Sequence, residues 1–387
     1  MKLVFAPDSF KGSLRSAEMT DILTEEAQKV FPDAELVSIP IADGGEGTVE
    51  ALIAACGGVM ERATVISPNG TPVEALYGLM DGGTTAVIEM AQASGLPLMG
   101  EELNPMTATS IGTGMLIRHC AMLGVRKMYI GLGGSATNDG GMGMLTALGV
   151  RFLDKNGIEL TGSGGELGLI HEIDLSGLMP HLLHIDIHVI TDVNNVLLGP
   201  MGATRIYGPQ KGATPEMMDE LERGMAHYAD LLEALLGSDI RHQAGSGAAG
   251  GMGAALYGVL RGKMYDGINA MLDTVRFNER VSGADLVVTG EGRIDEHSIL
   301  YGKVCGVIAA RCAAMDVPVI ALVGSMSRDA LAMHDIGLST VMTAVNAPMT
   351  VGQAIDDART LYTDAAARMF RMLRIGMRLG SPKMENN

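Results

Sequence analysis

The sequence has 387 residues, of which 47% are hydrophobic, and its formal net charge at pH 7 is −17. The acidic balance argues against a nucleic-acid partner, which needs a basic face on the protein, and no apolar run reaches the roughly 20 residues of a membrane span. The length is enough for two domains of roughly 100–200 residues each. We therefore expect a two-domain protein whose partners are neither nucleic acids nor membranes.

The start of the chain and its cysteines bear on the cellular compartment. The apolar stretch at residues 3–7 is too short for a signal peptide. The four cysteines form no CxxC motif, and a chain of this length folds without disulfides. These features predict a reducing compartment, most simply the cytoplasm. Cys305 and Cys312 are seven residues apart on one predicted helix, which predicts that their thiols are buried.

Apolar runs rich in β-branched residues alternate with helical patterns along the chain, which is typical of α/β architecture. Helices are predicted at residues 16–31, 47–56 and 304–315. Each predicted strand ends in a polar, glycine-rich loop; these strands are residues 3–6, 36–41, 128–130, 185–190, 286–288 and 317–323. Because open α/β sheets bind ligands outside the carboxyl ends of their strands, we expect the functional residues in these loops.

The middle of the chain has a different pattern. Residues 64–66, 73–79 and 85–90 predict antiparallel strands, with turns at Pro68-Asn69-Gly70 and Asp81-Gly82-Gly83. This change places one domain border near residue 65, and the strong strand at 286–288 places the other near residue 280. We predict a discontinuous first domain, residues 1–65 plus 281–387, and an inserted domain, residues 66–280.

The run Gly131-Leu132-Gly133-Gly134-Ser135-Ala136 fits the G-x-G-x-x-G/A pattern after a strand, and Asp154 stands where a ribose-binding acid would follow. This is the argument for a dinucleotide site. The residues after it, 137–143, are polar and glycine-rich where such a site needs an apolar helix. They favour an anion-binding loop whose backbone N–H groups surround phosphate, with Asn138 or Asp139 near a hydrated cation. A turn that serves packing alone is the alternative.

A second glycine-rich loop, Gly290-Glu291-Gly292-Arg293-Ile294-Asp295, also follows a strand, and Lys303 opens the next helix. Backbone amides, carboxylates and a lysine at a helix N-terminus would hold a phosphate and its metal. A capped turn with a surface ion pair explains the same residues equally well. Asp192, just past the strand at 185–190, is likewise either a functional acid or part of an Asx turn.

His184, Asp186 and His188 are two residues apart on one predicted strand, so their side chains share a face and resemble a triad of metal ligands. A solvent-facing strand edge explains the same residues, and we favour that interpretation because the sequence locates no further ligands.

Several segments together resemble one family, the bacterial glycerate kinases of type I. The segments are APDSFKGS, ADGGEGT, SPNGTPVEA, AVIEMAQASGL, GGSATNDGG, YGPQKGA, GAAGGMGA and TGEGRID, and the resemblance runs from about residue 2 to residue 370. It implies ATP-dependent phosphorylation of D-glycerate by a phosphotransferase with an alcohol group as acceptor, with 2-phosphoglycerate favoured over 3-phosphoglycerate. It also implies a Rossmann/flavodoxin-like parallel-sheet domain from both chain ends, an inserted mixed-sheet α/β domain, and an active site in the cleft between them.

Phosphoryl transfer needs positioning, charge neutralisation and a carboxylate that orients or deprotonates the attacking hydroxyl. On this basis we expect ATP and Mg²⁺ as cofactors and assign roles to the loop residues. The predicted nucleotide contacts are Gly133, Gly134, Ser135, Asn138, Asp139, Gly290, Glu291 and Gly292. The predicted catalytic residues are Asp8, Lys11, Asp43, Asp192, Asp295 and Lys303, with Asp192 and Asp295 also as metal ligands. The predicted substrate contacts are Ser9, Lys11 and Glu46.

The order in which these acids divide base and metal roles stays open, as does a monomeric or homodimeric state. Three other functions also stay open: an NAD-dependent oxidoreductase of a small hydroxy acid, a non-catalytic regulator that binds a sugar acid, and a kinase for another small hydroxy acid.

Overall fold

The structure, a computed structural model, describes residues 1–295 and 303–380. Its strands, in chain order, are β1 (Lys2–Pro7), β2 (Glu35–Ser38), β3 (Val59–Ile66), β4 (Pro72–Met80), β5 (Thr85–Glu89), β6 (Lys127–Gly131), β7 (Arg151–Leu153), β8 (Glu172–Asp174), β9 (Asp186–Thr191), β10 (Lys263–Asp266), β11 (Leu286–Gly290), β12 (Arg293–Ile294), β13 (Val319–Val323), β14 (Ser325–Met326) and β15 (Thr340–Thr343). Residues 381–387, the end of the predicted first domain, lie outside the described residues.

The α-helices, in chain order, are α1 (Ser16–Val30), α2 (Thr48–Cys56), α3 (Ala91–Ser94), α4 (Ile111–Met122), α5 (Met142–Ala147), α6 (Ala203–Tyr207), α7 (Pro215–Leu236), α8 (Met252–Gly258), α9 (Gly267–Thr274), α10 (Phe277–Val281), α11 (Val304–Ala313), α12 (Val351–Asp356) and α13 (Ala358–Gly380). Short 3₁₀ helices lie at Asp81–Gly83, Leu96–Met99, Gly164–Leu169, Pro180–His184, Pro209–Lys211, Ala248–Gly251 and Arg328–Ile336. None of the helices in the described ranges combines the length and apolar character needed to cross a membrane.

Contacts within the chain divide it into two compact units. The first unit joins Met1–Asp43 to the chain from Met271 onward, and the second is Gly44–Ala270. Both borders therefore fall earlier in the chain than the sequence predicts.

The early borders have a physical cause at each junction. Strand β3 pairs with β4 over its whole length, and the α2 side chains Val49 and Ile53 lie against Gly78 of β4, so residues 44–65 belong to the second unit. At the other junction, Arg280 donates to the Ser38 carbonyl at 2.7 Å, which ties α10 to the first unit.

The first unit is built on a five-stranded sheet in the order β15-β13-β11-β1-β2. Every neighbouring pair in it is parallel. Counted within the unit, this is the 2-1-3-4-5 order of flavodoxin-like folds, in which the chain reverses its direction of travel between β1 and β11. The fold predicted for the domain made from both chain ends is thereby confirmed.

Helices α1 and α13 pack against each other in this unit. In α1 the buried residues Met19, Ile22, Leu23 and Ala27 recur at helical spacing, and Pro32 stands just beyond its end. Phe370 of α13 meets Phe5 of β1 edge to face, with ring centroids 5.9 Å apart. This core packs α1 and α13 against the first sheet, including β1.

The second unit contains a six-stranded sheet in the order β10-β9-β6-β5-β4-β3. The β3–β4 and β4–β5 pairs are antiparallel and the remaining pairs are parallel. The antiparallel strands and the mixed sheet predicted for the inserted domain are thus present. Together the two sheets confirm the predicted α/β class, while the placement of an active site between the domains stays a prediction.

The largest helix of the second unit is α7, which is capped at both ends. The Thr214 hydroxyl accepts a hydrogen bond from the Met217 amide at its start, and Gly237 ends it with a φ of +66°. Its buried face, which includes Tyr228, joins the core on one side of the sheet with Met128 and Ile187.

The cysteines form no disulfide. Cys120, Cys305 and Cys312 are buried, as expected of thiols in a core, whereas Cys56 is exposed.

Candidate active site

Two predicted motifs meet where the strand order of the first sheet reverses, between β1 and β11. Pro7 ends β1 opposite Gly290 of β11, and the Asp8 amide donates to the Gly290 carbonyl at 2.8 Å. The loops that begin at Asp8 and Glu291 therefore leave the same edge of the sheet side by side. In sheets of this topology, this edge is where ligands bind.

Asp8 is a buried acid at this edge, with 5% of its surface exposed. Burial raises its pKa to about 7; the neighbouring Asp43 charge adds to this rise, and Lys11 opposes it. The Ser9 amide donates to Asp8 Oδ1 at 2.7 Å and fixes the orientation of the carboxyl. A carboxyl that exchanges its proton near neutral pH is suited to general-base work.

Lys11 and Asp43 form an ion pair next to this carboxyl, with Nζ and Oδ2 3.0 Å apart. The Lys11 side chain is 60% exposed and the Asp43 side chain 21% exposed. The predicted residues Asp8, Ser9, Lys11, Asp43 and Glu291 are therefore gathered in one cluster, and Glu291 is buried in it.

The other predicted residues of the first unit, Asp295 and Lys303, come later in the chain. Asp295 Oδ2 is 3.6 Å from Arg293 Nε, which is the surface ion pair of the alternative interpretation. The short β12–β14 ladder holds this loop, and the Gly292 carbonyl lies so close to Gly324 that a Cβ there would be 2.5 Å from it. Lys303 is exposed and stands at the N-cap position of α11.

In the second unit, the loop after β6 packs on the loop that contains Glu46. A Cβ on Gly131 would lie 2.5 Å from the Gly44 carbonyl oxygen, and a Cβ on Gly133 would lie 2.7 Å from Gly45 Cα. Only glycine, which has no side chain, permits this close approach. This agrees with the alternative interpretation, in which the glycine-rich turn serves packing. Gly134, in contrast, has a φ of +74° and is exposed, and Glu46 is also exposed.

Asn138 and Asp139, predicted to contact the nucleotide, are both completely buried. The Asp139 carboxylate accepts hydrogen bonds from the amide and hydroxyl of Ser110 and from the amides of Gly141 and Gly143. Burial raises the pKa of Asp139 and these hydrogen bonds oppose the rise. The carboxylate therefore organises the loop from inside the protein rather than facing solvent.

Asp154 and the short helix α5 do not match a dinucleotide site. The Asp154 carboxylate caps its own turn by accepting from the amides of Asn156 and Ile158, at 2.8 and 2.9 Å. Helix α5, which follows the glycine loop, has only six residues. The ribose contact that the sequence pattern predicts is thus replaced by a local turn.

Asp192 directly follows β9 and is exposed. Burial, with a smaller contribution from the Asp192 charge, raises the pKa of Tyr207, whose hydroxyl donates to Asn195 Oδ1 at 2.8 Å. Asp192 and Asp295 belong to different units. Their shared role as metal ligands therefore stays a prediction.

The His184, Asp186 and His188 pattern is not a metal triad in the described part of the chain, where no group of three or more His, Cys, Asp or Glu side chains is arranged to hold a metal ion. His188 Nε2 lies 2.7 Å from Asp186 Oδ2 and its ring stacks on Tyr265, with centroids 4.6 Å apart. Lys263 pairs with the other Asp186 oxygen at 2.7 Å.

Two buried residues with ionisable side chains, Glu89 and Lys211, were not predicted from the sequence. Glu89, the last residue of β5, accepts from the Val49 amide at the start of α2 at 2.8 Å, and burial raises its pKa. Lys211 donates to Ser135 Oγ at 2.7 Å. Both lie in segments that carry the family resemblance, AVIEMAQASGL and YGPQKGA, but neither stretch shows locally that its charge is buried.

Comparison with known proteins decides the family. The model of the glycerate kinase family matches residues 3–374. The chain belongs to the glycerate kinase family. It is therefore a kinase, a phosphotransferase with an alcohol group as acceptor, and kinase membership implies the use of ATP.

Individual relatives extend over nearly the whole chain. A glycerate kinase of Bacillus subtilis (strain 168) is 44% identical over 369 residues, 95% of this chain and 96% of the relative. A glycerate 2-kinase of Escherichia coli (strain K12) is 43% identical over 379 residues, 98% of this chain and 99% of the relative. A crystal structure assigned as glycerate kinase 2 from Salmonella typhimurium LT2 superposes with a TM-score of 0.88 at 40% identity, covering 98% of this chain and 99% of the other.

Proposed function

We propose that the protein phosphorylates the 2-hydroxyl of D-glycerate with Mg-ATP and releases 2-phosphoglycerate and ADP. The observation that carries this choice of product is the 43% identity, over nearly the full length of both chains, to a relative named glycerate 2-kinase. The solved structure assigned as glycerate kinase 2 supports the same product.

The proposed base is Asp8. Its carboxyl is buried at the edge of the sheet, and with a pKa of about 7 it is ionised in a large share of molecules at neutral pH. An ionised Asp8 accepts the proton of the substrate hydroxyl as that oxygen attacks the γ-phosphate. The Ser9 amide keeps one carboxylate oxygen fixed, so the other is left to take the proton.

Lys11 is the proposed counter-charge for the glycerate carboxylate or for the transferred phosphate. Asp43, 3.0 Å away, holds the ammonium in place beside Asp8. Ser9 and Glu46 are proposed as further substrate contacts, and Lys303 as a second cation.

The proposed nucleotide contacts are Gly133, Gly134 and Ser135 of the second unit and Gly290, Glu291 and Gly292 of the first. Gly134 exposes its backbone at a strand end, as an anion-binding loop requires. We assign Asn138 and Asp139 to the support of this loop instead of to the nucleotide, because both are completely buried.

Carboxylates at the strand ends fit Mg²⁺, a cation that prefers oxygen ligands and is bound by one or two protein carboxylates together with phosphates and water. Asp192 and Asp295 remain the proposed holders. When bound, Mg²⁺ neutralises charge on the phosphate oxygens. A cytoplasmic location and a monomeric or homodimeric state stay predictions.

The test is to incubate the purified protein with Mg-ATP and D-glycerate, follow ADP, and identify the phosphorylated carbon by NMR. We expect glycerate-dependent ADP and 2-phosphoglycerate. L-glycerate and an NAD⁺ mixture without ATP are the controls. Absence of glycerate-dependent ADP with retained glycerate binding would favour the regulator, and 3-phosphoglycerate as product would overturn the proposed position of transfer.

A further inference from the structure

Lys211 is a buried cation whose two hydrogen bonds in the described structure both end on the loop after β6. Its Nζ donates to Ser135 Oγ at 2.7 Å and to the Thr137 carbonyl oxygen at 2.6 Å. Only 2% of the residue is exposed, and burial lowers its pKa to about 7, with Asp139 opposing the change. Burying an ammonium group is costly unless its hydrogen bonds are made, so these two contacts hold both partners firmly.

The backbone around Lys211 fixes where this cation sits. Lys211 ends the short 3₁₀ helix Pro209–Lys211, and Gly212 follows it with a φ of +88°. A Cβ on Gly212 would lie 2.5 Å from the Leu103 carbonyl oxygen. Both the backbone conformation and the close packing require glycine here, which keeps the ammonium group under the loop.

The ammonium group also decides how the Ser135 hydroxyl is oriented. In its protonated form Lys211 can only donate, so Ser135 Oγ then accepts from it and the hydroxyl hydrogen of Ser135 points elsewhere. No atom of residues 1–295 or 303–380 accepts a hydrogen bond from that hydroxyl. A directed O–H group in a loop with exposed glycine backbone matches an anionic oxygen as its acceptor.

We propose that Lys211 is a positioning residue of the nucleotide site, which directs the Ser135 hydroxyl toward a phosphate oxygen of ATP. Through the Thr137 carbonyl it also fixes the loop that presents Gly134. Lys211 acts from the buried side of the loop and does not itself touch the nucleotide. This inference rests on the proposed use of the loop in the kinase reaction.

The test compares Lys211→Met, Ser135→Ala and the double variant by calorimetric titration with ATP and by steady-state kinetics. We expect each single variant to weaken ATP binding about tenfold and to raise the KM for Mg-ATP, while the KM for D-glycerate stays unchanged. The double variant should bind ATP no more weakly than the weaker single variant, because both changes remove the same oriented hydroxyl. Ser135→Thr keeps the hydroxyl and should restore binding.

Lys263→Met is the matched control, because Lys263 belongs to the same unit but is exposed and pairs with Asp186. It should bind ATP as the unmodified protein does. Thermal unfolding shows whether Lys211→Met is folded, and if it is not, the Ser135→Ala and Ser135→Thr pair decides alone. ATP affinity unchanged in Ser135→Ala, or additive losses in the double variant, would overturn the proposal. An unmodified protein that binds ATP through Ser135 but makes no ADP with glycerate would instead overturn the proposed function.

Discussion

The Lys11 ammonium group lies 3.0 Å from the Asp43 carboxylate, although the two residues follow different strands of the first sheet. Because β1 and β2 are parallel neighbours, the loops after them leave the same edge and meet there. The Lys11 side chain is 60% exposed, so the pair contributes at most about 1 kcal/mol to folding. Its main effect is to keep a positive charge beside the buried Asp8 carboxyl.

We expect Lys11→Ala to lower kcat/KM for D-glycerate by about 10²–10³, because it removes charge stabilisation at the site. The free energy of unfolding should stay within about 1 kcal/mol of the unmodified protein. Steady-state kinetics and urea unfolding measure the two quantities. Lys29→Ala is the matched control, since Lys29 is a 65% exposed lysine that pairs with Glu26 in the same unit. Equal activity of the two variants would contradict the role given to Lys11.

Asp8→Asn tests the base directly. The variant keeps the shape of the side chain but cannot accept the substrate proton, so kcat should fall by about 10²–10⁴. In the unmodified protein, kcat/KM should rise with pH through a midpoint near 7, because only ionised Asp8 is active. A pH series of initial rates measures the midpoint. If Asp8→Asn kept the same midpoint in its residual activity, another group would be the base.

Asp8→Asn should lower activity but raise the stability of the folded protein. The pKa of Asp8 is about 7 in the folded protein against the ordinary value of 3.8 for an aspartate, so ionisation of Asp8 favours the unfolded chain. The free energy of unfolding therefore falls as pH rises from about 4 to about 7. Asp8→Asn does not titrate and should be more stable than the unmodified protein above pH 7, with no advantage below about pH 4. Parallel urea-unfolding curves at all pH values would show that burial of Asp8 costs nothing.

The sequence predicts four of the five strands of the first sheet, because each of these β-branched runs is short and ends in a polar loop, whereas the edge strand β15 is not predicted. It does not predict where β2 ends. The strand predicted at 36–41 stops at Ser38, although the Ile39 amide still donates to the Phe5 carbonyl at 2.8 Å. The Ile41 amide then donates to the Ser16 hydroxyl at 2.8 Å, a contact with the start of α1 that no local pattern contains.

In the candidate site, too, some residues are predictable from the sequence and others depend on contacts that are distant in the chain. Asp8, Lys11 and Asp43 could be predicted because a strand end in a parallel sheet and its topology fix where the next residues go. Asp139 has the residue type and loop position of a ligand, but its partner Ser110 is 29 residues away. The burial of Asp139 and Lys211 depends on such distant partners, so the sequence predicts a nucleotide contact for Asp139 and gives no sign of the buried charge of Lys211.

Asp139→Asn distinguishes support of the loop from contact with the nucleotide. The amide would place a donor against the donors that now reach the carboxylate from Ser110, Gly141 and Gly143, so the free energy of unfolding should fall by about 2–4 kcal/mol. The folded variant should keep its KM for Mg-ATP. Asp154→Asn, in an exposed turn, is the control and should leave both quantities nearly unchanged. Normal stability with weakened ATP binding would make Asp139 a ligand after all.

Gly133→Ala tests whether the close packing of the glycine loop matters for the nucleotide. The new Cβ would lie 2.7 Å from Gly45 Cα, a backbone atom that cannot rotate away, so the loop must shift. We expect a loss of about 1–3 kcal/mol in stability and a higher KM for Mg-ATP, with the KM for D-glycerate unchanged.

Gly352→Ala is the control, because a Cβ at this position in α12 meets no atom within 4 Å. Since alanine favours helix, that variant should gain up to about 1 kcal/mol and keep both KM values. A Gly133→Ala protein that lost stability without any change in its KM for Mg-ATP would mean that this loop serves only the packing of the second unit.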